Sequence, residues 1–430
     1  MKKISTFALG LMLASAAFAQ KGNNAQIPTF QETMGKYFLV GAAVNTSLTD
    51  GQDPAGEEVV KKQFNQVVAE NCMKGEKNHP EVNRFDFADG DKLADWAEKN
   101  GKTLIGHCLV WHSQPPKWMF TDDKGNLVSR EVLIGRMYNH IMNVVTHYKG
   151  RVKGWDVVNE AFEDDGSYRK SLYYKIIGPE FIELAFRFAH EADPNVELYY
   201  NDYSTSKPAK REAICKLVRD LKAKGLRIDA VGMQSHNGFD YPDYAEYEKS
   251  IEAFAGEGVK VMLTELDMNM LPNPEGFGGA EISQKFELQK KYNPYVKGLD
   301  KKAQKLFNQR YLDLFKIVER HKDVISRVTF WGVNDGHSWL NGWPIPGRTN
   351  YPLLIDRNNE VKPVVKEIVN LFKIVERHKD VISRVTFWGV NDGHSWLNGW
   401  PIPGRTNYPL LIDRNNEVKP VVKEIVNLFK

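Results

Sequence analysis

Eight short runs rich in β-branched and aromatic residues, each followed by a stretch with helical periodicity, restrict the fold of this chain more than any other feature. The runs are YFLVGAA (37–43), FNQVVAEN (64–71), TLIGHCLV (103–110), KGWDVVN (153–159), VELYYN (196–201), IDAVGMQ (228–234), VKVMLTE (259–265) and RVTFWG (327–332). Apolar runs of this length, bounded by turn residues, read as strands buried on both faces. Between them the apolar residues return every three or four positions. In KREAICKLVRDLKAKG (210–225), Ile214, Leu217, Val218 and Leu221 share one face and Gly225 ends the helix. In the final stretch, KPVVKEIVNLFK (362–373), Pro363 stands near the start. Strand then helix, eight times over ~350 residues, predicts an α/β chain closed as a (β/α)8 TIM barrel. A doubly wound sheet also uses βα units, but it has no need of eight, and no G-x-G-x-x-G follows the first run.

Residues 317–373 and 374–430 are identical throughout. One duplication is not a solenoid, which needs about three units or more. The first copy continues directly from its neighbours. Placing the second in the barrel would loop out the first, at about 3–4 kcal/mol of closure entropy. The first copy is therefore expected to supply the eighth strand, and 374–430 to be surplus to a barrel unit at 20–373. With no site to serve, the spare copy is an aggregation or swapping hazard.

The chain begins MKKISTFALGLMLASAAFAQ. Two lysines, an apolar run and Ala17-Phe18-Ala19 form the pattern of a bacterial secretory signal peptide at 1–19. An exported protein, periplasmic or secreted, is expected, with no membrane span after cleavage. Loss of Lys2 and Lys3 takes the formal charge from +3 to +1. That near-neutral balance carries no electrostatic footprint for nucleic acid. Cys72, Cys108 and Cys215 are too few and odd in number for a disulfide framework, although two could pair.

In a barrel of this kind the working face lies at the C-terminal ends of the strands. There the runs change character. The second ends in Glu70-Asn71 with Lys74 beyond; the third carries His107 and is followed by Trp111, His112 and Gln114. The fourth leads to Asn159-Glu160, the fifth to Asn201-Asp202-Tyr203, the sixth to Gln234 and His236. The seventh ends in Glu265 with Asp267 beyond, and the eighth carries Trp331, then Asn334, Asp335 and Trp339. Helix capping explains one such end, not seven on one rim. There is no G-x-S-x-G elbow and no phosphate-cradling glycine loop. The histidines lack H-E-x-x-H spacing, so no metal is expected. Indole rings beside carboxylates and amides suit a sugar, and two carboxylates across a glycosidic bond hydrolyse it.

The segments GHCLVWHSQPPKW (106–118), WDVVNEAFEDDG (155–166), YYNDYS (199–204), GMQSH (232–236), MLTELDM (262–268) and FWGVNDGHSW (330–339) resemble those of glycoside hydrolase family 10, the endo-1,4-β-xylanases. The likeness runs in order from about residue 30 to 373. It implies that Glu160 is the general acid/base and Glu265 the nucleophile of a retaining reaction, with no cofactor. It implies further that Asn159 holds the sugar 2-hydroxyl and that Glu70, Asn71, Lys74, His107 and Gln114 contact donor-side sugar. Tyr203 and Gln234 match cleft positions, and His236 and Asp267 orient Glu265. Trp111, Trp331 and Trp339 are expected to form an apolar cage. Gln114 and Trp339 would crowd out a hydroxymethyl group and so favour xylose. Gly75 before Glu76 departs from the family pattern. The implied partners are xylan and xylo-oligosaccharides, acted on by a monomer. Alternatives are a β-1,4-glucanase or mixed-specificity enzyme, a silent glycan-binding barrel, or a chain inactivated by its duplication. Glu160 is expected to have a raised pKa from the charge of Glu265.

Overall fold

Eight parallel strands close into a barrel in the computed structural model, which describes residues 28–278 and 282–373 and, in the second copy, residues 392, 398, 410–420 and 422. The strands are β1 (Leu39–Val44), β2 (Gln66–Ala69), β3 (Thr103–Trp111), β4 (Val152–Asn159), β5 (Glu197–Asp202), β6 (Ala230–Met233), β7 (His236–Gly238), β8 (Lys260–Asn269) and β9 (Ile325–Phe330). Neighbours pair in chain order from β1 to β6, then β6 with β8, β8 with β9, and β9 back to β1. The short β7 continues the line of β6 and pairs only with the outer end of β8, His236 opposite Asp267. Between β6 and β7 the chain turns at Ser235, in the left-handed region at φ 65°. The sixth expected run ends before that turn, so β7 is an unanticipated segment beyond it, and β8 continues to Asn269, past its expected end at Glu265.

Helices wrap the barrel because each presents one apolar face and has its ends satisfied locally. Ser129, Asp243 and Asp300 accept N–H groups from the first turns of Arg130–His147, Tyr244–Gly256 and Lys301–Arg320. Pro208–Ala223 buries the expected face, Ile214, Leu217, Val218 and Leu221, and Gly225 follows it at φ 71°. One large core lies between strands and helices. A smaller one fills the barrel and includes Val68, Ile105, Tyr199, Met262 and Trp331. Among these apolar layers sits a charged column. The buried Arg327 lies 3.6 Å from Asp156 Oδ1, and Asp156 Oδ2 lies 2.9 Å from His107 Nδ1. Removing one member would leave a buried charge uncompensated. All three cysteines are free.

The eighth barrel position is filled by the first copy: Ile325–Phe330 pairs with β1 and β8, and the helix Val364–Lys373 packs on Lys301–Arg320. The loop between them is pinned by Asp335, which accepts from the Leu353 N–H at 2.9 Å and pairs with Lys362 at 2.8 Å. The described part of the second copy repeats this arrangement. Asp392 accepts from the Leu410 N–H at 2.8 Å and pairs with Lys419 at 2.7 Å, and Ile412 bridges Val418 as Ile355 bridges Val361. The equivalents of β9 and its tryptophans in that copy lie outside the described residues, as does the expected leader at 1–19. Among the described residues no helix is long and apolar enough to cross a membrane.

Candidate active site

The C-terminal strand ends surround a cleft of about 900 Å³, bordered by the residues singled out from the run ends except His112, Asn201, Asp202, Asn334 and Asp335. Two buried glutamates stand at its centre. Glu265 and Asp267 lie two residues apart on β8 and so share a face. His236 sits between them, Nε2 3.1 Å from Glu265 Oε2 and Nδ1 3.0 Å from Asp267 Oδ2. Burial alone would lower the pKa of His236, but the two carboxylates outweigh it and push it up to about 10. The ring is an imidazolium at neutral pH. Burial likewise works to raise Glu265, yet the His236 bond, the nearby His107 and the Asn201 amide overcome it, so its pKa falls below the ordinary carboxylate value.

Asn201, at the end of β5, donates to Glu265 Oε1 at 2.8 Å and to Asn159 Oδ1 at 2.9 Å. Its orientation is set by Thr264, whose hydroxyl donates to Asn201 Oδ1 at 2.6 Å. Gly232 on β6 makes the room: a Cβ there would fall 2.3 Å from Asn201 Oδ1. The sequence reading marked Asn201 as a polar strand end but gave it no role. The hydrogen bonds that make it a bridge depend on the rotation of β5 within the barrel.

Glu160 follows β4 with φ 60°, a left-handed conformation that is uncommon for a residue with a Cβ. Its carboxyl accepts from Trp111 Nε1 at 2.9 Å, Gln234 Nε2 at 2.8 Å and Asn159 Nδ2 at 3.2 Å. Its pKa is raised. Burial is the largest cause, partly offset by the Gln234 and Trp111 bonds, and the charge of Glu265 adds to the rise. The Glu265 charge contributes as expected, and the low-polarity surroundings do more. Trp111 and Gln234 border the cleft and in addition hold the Glu160 carboxyl, which was not anticipated. Left-handed φ values recur on this rim at Gln114 (53°), Ser204 (50°) and Ser235 (65°), as strained positions do at working sites.

At one end of the cleft Lys74 Nζ bonds Asn71 Oδ1 at 3.1 Å and Gln114 Oε1 at 3.0 Å and lies 4.8 Å from the centre of the Trp111 ring. Gln114 in turn donates to Glu76 at 3.1 Å, which draws Glu76 into the cluster. Glu70 is raised by burial, with Lys74 opposing. The indole N–H of Trp339 donates to Asp267 Oδ2 at 2.8 Å, and its ring stacks on Trp343 at 4.6 Å. Trp331 meets His107 edge to face at 5.3 Å. The far arm of the cleft is lined by Tyr241, Phe277 and Trp343, which lie off the strand ends and were not anticipated. Among the described residues no group of three or more His, Cys, Asp or Glu side chains is placed to hold a metal ion.

One buried carboxyl with its pKa raised and one with its pKa lowered, facing a single cleft, is the arrangement of acid and nucleophile or base. The match to Glycosyl hydrolase family 10 covers residues 29–371 and, separately, 364–428. The chain belongs to this family. Endo-1,4-beta-xylanase A of Xylanibacter ruminicola is 61% identical over 373 residues, 87% of this chain and 100% of that protein. An endo-1,4-beta-xylanase of Geobacillus stearothermophilus is 39% identical, over 80% of this chain and 99% of the other. Among solved structures, a family 10 endoxylanase from a sugarcane soil metagenome superposes with a TM-score of 0.76 at 42% identity, covering 80% of this chain and 99% of its own. The second family 10 match, at 364–428, falls on the duplicated segment.

Proposed function

We propose that this family 10 chain is an endo-1,4-β-xylanase in which Glu160 is the general acid/base and Glu265 the nucleophile of a retaining double displacement. The observation that carries the pair is the opposite displacement of two buried carboxyl pKa values, Glu160 up and Glu265 down. In the first step a Glu265 oxygen attacks the anomeric carbon, the glycosidic C–O bond breaks, and the Glu160 proton passes to the departing oxygen. In the second, water attacks the glycosyl ester, gives its proton to Glu160, and releases Glu265 as carboxylate. Loss of the Glu265 charge on esterification removes one cause of the raised Glu160 pKa, which suits Glu160 to act as base.

Asn159, beside both carboxyls, is read as the partner of the sugar 2-hydroxyl. Glu70, Asn71, Lys74, His107 and Gln114 are read as donor-side contacts, Tyr203 and Gln234 as cleft contacts, and Trp111, Trp331 and Trp339 as the wall of the cleavage subsite. His236 and Asp267 orient Glu265. Residues 20–373 form the catalytic unit, working as a monomer, and 374–430 are surplus to it. The pattern at 1–19 supports export.

Proton NMR of a xylo-oligosaccharide digest tests the mechanism: the β-anomer appears first and the α-anomer only by mutarotation. First appearance of the α-anomer overturns it. Reducing-sugar release from xylan far above that from carboxymethylcellulose is expected, and the reverse would make the enzyme a glucanase. A chain ending at Lys373 should keep full activity. Loss of activity would show the second copy to be the working one.

A further inference from the structure

The residue that carries the proton stands in a backbone conformation that needs outside support. Glu160 is left-handed, and three groups fix the backbone around it. Its N–H donates to the Asn201 carbonyl at 2.9 Å, the next N–H, of Ala161, donates to the Tyr200 hydroxyl at 3.0 Å, and its own carbonyl accepts from Arg169 Nε at 3.0 Å. Arg169 closes the loop that leaves β4: its N–H returns to the Ala161 carbonyl at 2.8 Å, and Phe162 bridges Tyr168. The guanidinium, with 13% of the side chain exposed, also pairs with Glu163 at 3.2 Å and donates to the Tyr203 hydroxyl on the cleft wall. One planar fork thus links the carbonyl of Glu160 to a residue bordering the cleft, a geometry that a point-charge ammonium does not reproduce.

We propose that Arg169 is a positioning residue for proton transfer: by holding the Glu160 carbonyl and the Tyr203 hydroxyl on one guanidinium, it fixes the left-handed backbone from which the Glu160 carboxyl is aimed at the glycosidic oxygen. The inference rests on the assignment of Glu160 as acid/base. Arg169 reaches neither the carboxyl nor the bond that breaks, so its effect runs through Glu160. Burial pushes the Glu160 pKa up, and the Arg169 cation is among the groups that pull it back.

The test compares two substrates, xylotetraose, whose leaving sugar must be protonated, and a dinitrophenyl β-xylobioside, whose leaving group needs no proton. Arg169→Met should lose about 10- to 100-fold in kcat/KM on xylotetraose, the size of effect expected from displacing a catalytic group by about 1 Å. It should lose only a few-fold on the dinitrophenyl glycoside. Removing the cation raises the Glu160 pKa further, so the alkaline limb on xylotetraose should move to higher pH. Arg169→Lys should return the limb but only part of the rate. Equal losses on both substrates with an unmoved limb would make Arg169 merely structural and overturn the proposal. If Arg169→Met fails to fold, Arg169→Lys decides by the same substrate ratio. Glu160→Ala serves as the control. If it lacks the substrate split, the acid/base assignment fails and takes this inference with it. If it shows the split and the Arg169 variants do not, only this inference fails.

Discussion

Glu160, just beyond β4, and Glu265, within β8, are the same side chain with opposite pKa shifts. Both glutamates are buried, and burial favours the neutral form of each. What differs is the company. The hydrogen bonds to the Glu160 carboxyl come from neutral groups, the indole of Trp111 and the amides of Gln234 and Asn159, with the His112 ring further off, its Nδ1 3.8 Å from Oε2. Glu265 has an imidazolium, His236, fixed in turn by Asp267, and that cation reverses the effect of burial. Within one barrel mouth, proton affinity is set by whether a positive charge is built in beside the carboxyl, not by depth.

The largest break in this comparison comes from Glu265→Ala. Xylan hydrolysis should fall to the assay background, and azide should restore turnover of an activated β-xyloside with an α-xylosyl azide as product. Glu160→Ala should lose about 10²–10⁴-fold on xylan, the usual worth of a general acid, and azide should yield the β-xylosyl azide. Gas chromatography or NMR of the azides reads the difference, and the same anomer from both variants would collapse the distinction. A smaller break comes from Gly232→Ala. The new Cβ strikes the Asn201 amide that ties Glu265 to Asn159. A loss of about 1–3 kcal/mol in stability is expected from such overpacking, together with reduced kcat, by urea unfolding and steady-state assay. The smallest is His236→Asn. With the cation gone the Glu265 pKa rises, so the acid limb of kcat/KM should move to higher pH. The stability contributed by the charged His236 is present below pH 6.5 and is lost as pH rises through about 10. The stability gap between wild type and variant should therefore close in alkaline urea titrations.

Much of this was legible in the chain. Each of the eight runs became barrel strand, because buried parallel strands need continuous apolar residues whatever their neighbours. Most of the polar residues at their ends border one cleft because a barrel gathers all its C-terminal ends on one face. Roles within the cleft were less legible. Trp111 looked like an apolar wall alone and also spends its one donor on Glu160. Asn201 and Arg169 act through hydrogen bonds whose direction follows from strand rotation and loop closure, neither of which residue types encode. Trp343, four positions beyond Trp339, was within reach of the pattern, since WLNGW pairs two indoles that the structure stacks.

The tie that pins the loop between Asp335 and Lys362 recurs among the described residues of the second copy, at Asp392 and Lys419. The same aspartate holds the same backbone N–H and the same lysine in both, though the lysine is more exposed in the second, 24% against 10%. The tie is therefore written in its own residues. For protein engineering this makes it a portable clamp: a loop exchanged between barrels should keep its closure, provided the aspartate and the lysine travel together.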